Sequence, residues 1–114
     1  MPKQDYYQQG QLTDVAYLVL LSLATPRHGY AIMSHIEMLT QGTATIGPAS
    51  LYTTLRKLMQ AKFIHLLEDT DAKKVYGLTM VGLAALKVET EKRERLATYG
   101  RQALRDALGG APHV

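Results

Sequence analysis

A run of apolar residues between Thr13 and Pro26 places the strongest constraint on how this chain can fold. The run is Val15-Ala16-Tyr17-Leu18-Val19-Leu20-Leu21, with Leu23 after it. A helix built from it is apolar on nearly every face, so it must be covered on several sides. Because a chain of 114 residues has few other elements to wrap it, we predict a homodimer in which a second copy supplies part of the cover. The alternative is a central core helix in a monomer.

The same run is too short to cross a membrane. A span needs roughly 18 apolar residues or more, and Pro26 ends this run well before that length. Upstream, a single Lys3 precedes polar Gln and Tyr residues, which is not the order of a secretory signal. The absence of cysteine excludes a disulfide framework and a thiolate metal site. We expect a cytoplasmic protein without a transmembrane helix.

A helix with two contrasting faces is predicted to begin at Pro48, which suits a first helical turn because its missing N–H would be unpaired there. An apolar stripe at helical spacing is formed by Leu51, Leu55, Leu58 and Met59. The opposite arc carries Ser50, Thr53, Arg56, Lys57 and Gln60, with Tyr52 at its flank. Such side chains can contact phosphates or base edges in a DNA groove. The alternative is a face that simply meets water, as on most amphipathic helices.

Two short apolar runs follow this helix. They are Phe63–Leu67 and Lys74–Leu78, and they bracket a polar turn over Glu68–Lys73, which predicts a β-hairpin. A hairpin directly after a DNA-reading helix makes a winged helix.

Three further signals place the remaining helices. Thr13 is a predicted N-cap for the apolar helix, and a pattern of Ile32, Ile36 and Leu39 predicts another helix that ends near Gly42. Thr79 is predicted to cap a long last helix. The order helix, helix, helix, hairpin, helix places the chain in the mainly α (α+β) class, as a winged helix-turn-helix with a two-stranded wing.

Several motifs together resemble the PadR family of transcriptional regulators. They are the apolar helix from Leu12 to Ala24, the His28-Gly29-Tyr30 opening of the second helix, Pro48-Ala49-Ser50-Leu51-Tyr52 with Leu55 and Leu58, and the Tyr76, Leu78-Thr79, Gly82, Leu86 pattern. The resemblance covers residues 12 to 90. It implies a helix-turn-helix with a wing, followed by a C-terminal dimerisation helix.

These predictions together divide the chain into four segments. They are a flexible N-terminal segment (1–11), a DNA-binding domain (12–78), a dimerisation helix (79–108) and a disordered tail (109–114) with two glycines and a proline. We expect a homodimeric transcriptional repressor that binds double-stranded operator DNA.

The chain also departs from the family pattern. The family usually has Gly where this chain has Ala49, and Pro where it has Thr53. It also usually has a tryptophan or another aromatic residue in the stretch that is Thr43–Gly47 here. The wing tip is acidic, with Glu68, Asp69 and Asp71. Its cations are Lys73 and Lys74. This composition argues against strong wing contacts with DNA.

The net charge of +3 is distributed unevenly. Residues 1–47 hold two cations and three anions, whereas residues 48–114 hold eleven cations and seven anions. The predicted reading helix therefore lies in the basic part of the chain. The predicted DNA-contacting residues are Ser50, Tyr52, Thr53, Arg56 and Lys57 on the helix and Lys73 and Lys74 on the wing.

The last helix and the apolar helix supply the predicted dimer interface, which comprises Leu18, Leu21, Leu96, Tyr99 and Ala103. The charged run Glu89–Arg95 is predicted to be a solvated face with pairs such as Glu89–Arg93. Gly100 is predicted to weaken or bend the helix.

The resemblance also implies, for some members, a pocket for small aromatic or drug-like effectors. Tyr6, Tyr7 and Tyr17 are the candidate lining residues, and packing is the alternative for each of them.

Catalytic and metal motifs are not found. Gly42 and Gly47 have the spacing of a phosphate loop, but Pro48 stands where the lysine is required. Ser50 lacks the glycine-flanked turn of a nucleophile elbow. His28 and His35 share a predicted helix, where a surface or packing role is favoured over zinc. We therefore expect no enzyme activity, cofactor or metal. The alternative to a DNA-binding regulator is a winged-helix module that binds another protein.

Overall fold

A computed structural model describes residues 12–110 of the chain and confirms the winged-helix prediction. The elements are α1 (Asp14–Ser22), β1 (Arg27–His28), α2 (Gly29–Leu39), α3 (Pro48–Gln60), β2 (Ile64–Asp69), β3 (Lys74–Leu78), α4 (Met80–Arg105) and a π-helical turn (Asp106–Gly110). The predicted N-terminal segment, with Tyr6 and Tyr7, and residues 111–114 of the predicted tail lie outside the described residues. Within residues 12–110, no helix combines the length and apolar character that a membrane crossing requires.

The helices begin where local chemistry predicts. The hydroxyl of Thr13 accepts a hydrogen bond from the Ala16 N–H at 3.1 Å, and Pro48 occupies the first turn of α3. Thr79 caps α4 by accepting from the Gly82 N–H at 3.0 Å. Gly100 does not interrupt α4, which runs unbroken to Arg105.

The core forms around α1 and the inward stripe of α3. Leu51, Leu55 and Leu58 are fully buried, as predicted. In α1, the fully buried residues are Ala16, Val19, Leu20 and Ser22. Leu18 and Leu21 are only half-buried, so the protomer itself covers one side of α1 and leaves the other partly open.

The wing is a hairpin that belongs to a three-stranded antiparallel sheet in the order β1-β3-β2. The predicted hairpin is present, but β2 extends to Asp69, and the turn is correspondingly short. The register of β2 on β3 shifts between Leu66 and Glu68, which places a bulge at Leu67. β1 was not predictable from the sequence pattern. Its two residues carry no strand periodicity, and Arg27 pairs with Tyr76, which is remote in sequence.

The end of α3 is fastened to the start of α4. Lys62 has a φ of 65°, and the N–H of Phe63 reaches back to the Leu58 carbonyl at 3.0 Å, which is the closure of a Schellman motif. The Thr79 hydroxyl donates to the Lys62 carbonyl at 2.6 Å, and the Thr79 N–H donates to the Phe63 carbonyl at 3.0 Å. The two helices therefore meet through backbone groups of the residues between α3 and β2.

A second contact joins α4 to the start of α1, and it corrects one prediction. Glu89, which we expected on a solvated face, is only 3% exposed. The predicted Glu89–Arg93 pair is confirmed, at 2.8 Å, but Arg93 also donates to the Asp14 carboxylate at 2.8 Å. The charge run alone could not show this burial, because it results from the packing of α4 on α1.

The guanidinium of Arg93 connects several groups at this contact. It lies 4.3 Å from the ring centroid of Tyr17, whose hydroxyl is 2.8 Å from that of Thr90. Burial by itself lowers the pKa of Arg93, but the hydrogen bonds to Asp14 and Glu89 outweigh it, so this pKa lies above its ordinary value. Arg93 thus remains charged in the folded protein.

Replacement of Glu89 by glutamine tests the energetic weight of this contact. We expect Glu89→Gln to lower the free energy of unfolding by about 1–3 kcal/mol, because Arg93 loses the charged acceptor that the buried Glu89 provides. Urea denaturation followed by circular dichroism measures the change. The control is Glu91→Gln on the exposed side of α4, where we expect a change within about 0.5 kcal/mol. Equal effects of the two variants would contradict a special role for Glu89.

Candidate nucleic-acid interface

The polar face of α3 carries most of the residues that were predicted from the sequence to contact DNA. Four predicted contact residues on this face are exposed, namely Ser50, Thr53, Arg56 and Lys57. Gln60, which lies on the same face, is exposed as well. They lie on the side of the helix away from the buried leucines. Within residues 12–110, neither Arg56 nor Lys57 takes part in an ion pair. Both cations are therefore available to an anionic partner.

Tyr52 lies at the edge of this face and packs against the start of α2. A Cβ atom placed on Gly29 would be only 2.6 Å from the Tyr52 hydroxyl oxygen and 3.1 Å from the ring carbon that bears it. Glycine at position 29 therefore leaves room for the Tyr52 ring between α2 and α3. Tyr52 remains 46% exposed, and its contact with DNA stays a prediction.

The wing lysines are paired with carboxylates of the same hairpin. Lys73 lies 3.9 Å from Glu68, and Lys74 lies 3.9 Å from Asp69. The four side chains are 43% to 60% exposed, so these pairs contribute little stability and exchange easily for other partners. Thr70 and Lys73 close the turn through reciprocal backbone hydrogen bonds of 2.8 and 3.2 Å. The wing thus has a well-formed turn with a mixed charge.

Tyr76 of β3 lies beneath this turn and is buried. Burial raises the pKa of its hydroxyl, and the nearby Tyr52 and Asp69 raise it further. The Tyr76 side chain is therefore neutral throughout the ordinary pH range and contributes packing, with no charge, to the base of the wing.

The histidines do not form one site. His28 precedes α2 as its N-cap and accepts from the Ala31 N–H at 3.4 Å. The Ser22 hydroxyl donates to the Leu18 carbonyl at 2.9 Å, so His35 must donate its Nδ1 proton to Ser22, 3.1 Å away. These contacts are structural. Within residues 12–110, no group of three or more His, Asp and Glu side chains is placed to hold a metal ion.

The predicted interface residues fall on α1 and α4, and Tyr17, the predicted effector residue within the described range, falls on α1. Leu96 and Tyr99 are 56% and 64% exposed, and Ala103 is also exposed. Tyr17 lies in the contact between α1 and α4, where Arg93 covers its ring. Its role in effector binding stays a prediction.

A family model described as the PadR-like family of transcriptional regulators matches residues 18–88. The chain belongs to this family. Among curated proteins, the PadR-like chain is 32% identical over 96 residues to the transcriptional regulator YqjI of Escherichia coli (strain K12), which covers 82% of this chain and 44% of that protein. The chain thus spans less than half the length of this curated relative.

Solved structures share the fold of this PadR-like protein. A PadR family regulator from Clostridium difficile R20291 superposes with a TM-score of 0.68 at 17% identity, covering 81% of this chain and 99% of that one. A PadR family regulator from Eggerthella lenta DSM 2243 gives a TM-score of 0.62 at 26% identity, covering 79% and 80%. Membership in a family of transcriptional regulators agrees with the expectation that the chain is not an enzyme.

Proposed function

We propose that this PadR-like protein is a cytoplasmic DNA-binding regulator that represses transcription as a homodimer. The observation that carries the proposal is the separation of faces on α3. Arg56 and Lys57 lie on the exposed side, without an ion pair to any described residue, and leucines are buried on the other side. In helix-turn-helix proteins the second helix of the motif enters the major groove, and the first crosses the backbone. In this chain α3 and α2 take these places. Ser50 and Thr53 then supply hydroxyl groups near the base edges.

The exposed half of α4 supports the homodimer. Every residue from 94 to 105 is exposed in the protomer. Leu96, Tyr99 and Ala103 are spaced by three and four residues, so they lie on one face of the helix. An isolated helix of this kind is marginally stable in water, and a second copy of the same helix would cover it. The half-buried Leu18 and Leu21 of α1 extend the surface available to the partner.

A dimer of this kind has two α3 helices related by a two-fold axis. In such proteins, the two reading helices contact half-sites about one helical turn of DNA apart, roughly 34 Å. An effector that favours a different spacing would lower DNA affinity, by as much as its own affinities for the two states differ. Family resemblance supports such an effector for this chain, and Tyr17 is the described candidate for its site.

The proposal is tested by fluorescence anisotropy with the promoter region of the protein's own gene and a scrambled duplex, at two salt concentrations. We expect tighter binding to the promoter and a steep loss of affinity at higher salt. Equal weak binding to both duplexes, or none, would contradict a specific regulator.

Lys57→Ala tests the phosphate contacts of α3. We expect weaker binding to every duplex, because a phosphate contact is lost. We also expect the slope of log affinity against log salt concentration to fall by about one unit for each protomer, because a complex with fewer phosphate contacts releases fewer counterions when it forms. The control is Lys87→Ala, which removes the same charge from an exposed position on α4. An unchanged slope for Lys57→Ala, or the same change for both variants, would count against a phosphate contact at Lys57.

A protein-interaction module is the second candidate function. The pairing of Lys73 with Glu68 and of Lys74 with Asp69 favours it, because a wing whose charges are compensated internally attracts DNA weakly. This candidate predicts that binding to duplex DNA is weak and independent of sequence at both salt concentrations.

A further inference from the structure

A cleft of about 560 Å³ opens between the start of α2, the edge of α3 and the wing turn. Tyr30 lines it from α2, Lys73 and Lys74 line it from the wing, and Tyr52 lines it from α3. Because Tyr52 also flanks the polar face of α3, the cleft is continuous with the proposed DNA-reading surface. Tyr30 is 72% exposed, and it is not among the residues predicted to contact DNA.

The groups around this cleft suit an oxygen-rich anion. Tyrosine hydroxyls and lysine ammonium groups donate hydrogen bonds, and such donors commonly contact the phosphates of DNA. The lysines are held by carboxylates only at 3.9 Å and in solvent, so a phosphate can replace those partners at small cost. Asp71 also lines the cleft, and its carboxylate would repel the same anion.

The position of the cleft indicates that this anion is a phosphate of the DNA backbone. When a reading helix enters the major groove, the preceding helix crosses the sugar–phosphate backbone. The cleft lies where α2 borders both α3 and the wing. When α3 enters the groove in this way, the backbone at the groove edge would pass the opening of the cleft.

We propose that this cleft binds a phosphodiester of the DNA backbone, with Tyr30 and Lys74 as contact residues and Asp71 as a residue that limits the affinity. The inference rests on the proposed function, since its ligand is the duplex that α3 reads. It explains how a wing with an acidic tip contributes to DNA binding: the lysines exchange their carboxylate partners for a phosphate.

The two most informative variants act in opposite directions on DNA affinity. For Tyr30→Phe we expect about tenfold weaker binding of the dimer to the promoter duplex as a lower bound, because two clefts each lose a hydrogen bond to a charged group and every ~1.4 kcal/mol is tenfold. For Asp71→Asn we expect about threefold tighter binding at low salt, and a smaller gain at high salt because salt screens the removed repulsion. A structural defect weakens binding, so a gain at Asp71 cannot come from misfolding.

Two further variants separate this inference from the proposed function. Glu91→Gln removes the same charge from an exposed position on α4, and we expect its effect on affinity to be clearly smaller than that of Asp71→Asn. Arg56→Ala reports on α3 alone. If Arg56→Ala weakens binding while Tyr30→Phe and Asp71→Asn match the wild type, the cleft does not bind DNA and the role of α3 stands. Weaker binding of Asp71→Asn also overturns the inference, and a wild-type protein without affinity for any duplex overturns both proposals.

Discussion

Gly82→Ala is expected to lower the free energy of unfolding by about 3 kcal/mol or more, an unusually large effect for the addition of one methyl group. A Cβ atom at position 82 would overlap the carbonyl oxygen of Phe63 and lie 2.7 Å from its carbonyl carbon. The obstacle is backbone, so no side-chain rotation relieves it. The first turn of α4 would have to move away from the residues that follow α3.

Such a movement would disrupt the hydrogen bonds that hold the two helices together. The Phe63 carbonyl accepts from the Thr79 N–H, and the Thr79 hydroxyl donates to the Lys62 carbonyl. We expect a lower urea midpoint for Gly82→Ala by circular dichroism, together with weaker DNA binding under conditions in which the variant is still folded. The second effect follows because α4 sets the position of α3 through these bonds.

The matched control is Gly100→Ala in the same helix. A Cβ atom at position 100 meets nothing within 4 Å in the protomer. Alanine is favoured over glycine inside a helix, so we expect a gain of about 0.5–1 kcal/mol. A gain of similar size at both positions would show that helix propensity, rather than the contact with Phe63, controls the result. A loss at position 100 alone would indicate a close contact there with a partner molecule.

Features that depend on neighbouring residues were predictable from the sequence. Thr13, Pro48 and Thr79 mark helix starts because a hydroxyl reaches an N–H three residues ahead and proline needs no hydrogen bond in a first turn. The two faces of α3 follow from its helical spacing, and the structure buries and exposes the residues as that spacing requires.

Features that depend on distant residues were not predictable in this way. Glu89 is part of a charged run, and its burial becomes visible only when α4 packs against α1. The two residues of β1 acquire their strand conformation by pairing with β3. Gly29 and Gly82 belong to the family motifs, but the sequence does not show that each accommodates a group from another element.

The proposed binding surface shows the same division. Arg56 and Lys57 were predicted from the pattern of α3 alone, and they are exposed as that pattern requires. Tyr30 was part of a family motif with no assigned role, because its proximity to the wing depends on the tertiary fold. The sequence showed the wing lysines and acids but could not show which of them pair.

Leu96→Glu is expected to convert the proposed homodimer into a monomer and to weaken promoter binding about a hundredfold or more. Leu96 is exposed in the protomer, on the face of α4 that also carries Tyr99 and Ala103. Two such helices in contact would bury it, and burial of an unpaired carboxylate is costly. A monomer also loses the advantage of linked half-sites, which can raise affinity by a factor of about 10² to 10⁴. Light scattering after size-exclusion chromatography measures the mass, and anisotropy measures the affinity.

The control for this variant is Thr98→Glu, which adds the same charge to α4 two residues later. Two residues correspond to about 200° around a helix, so the new carboxylate points away from the face of Leu96. We expect Thr98→Glu to remain dimeric and to lose much less affinity. A Leu96→Glu protein that stays dimeric would show that the exposed face of α4 is not the interface. A monomeric Leu96→Glu protein with wild-type affinity would instead separate dimerisation from DNA binding, because one α3 helix would then account for the whole affinity.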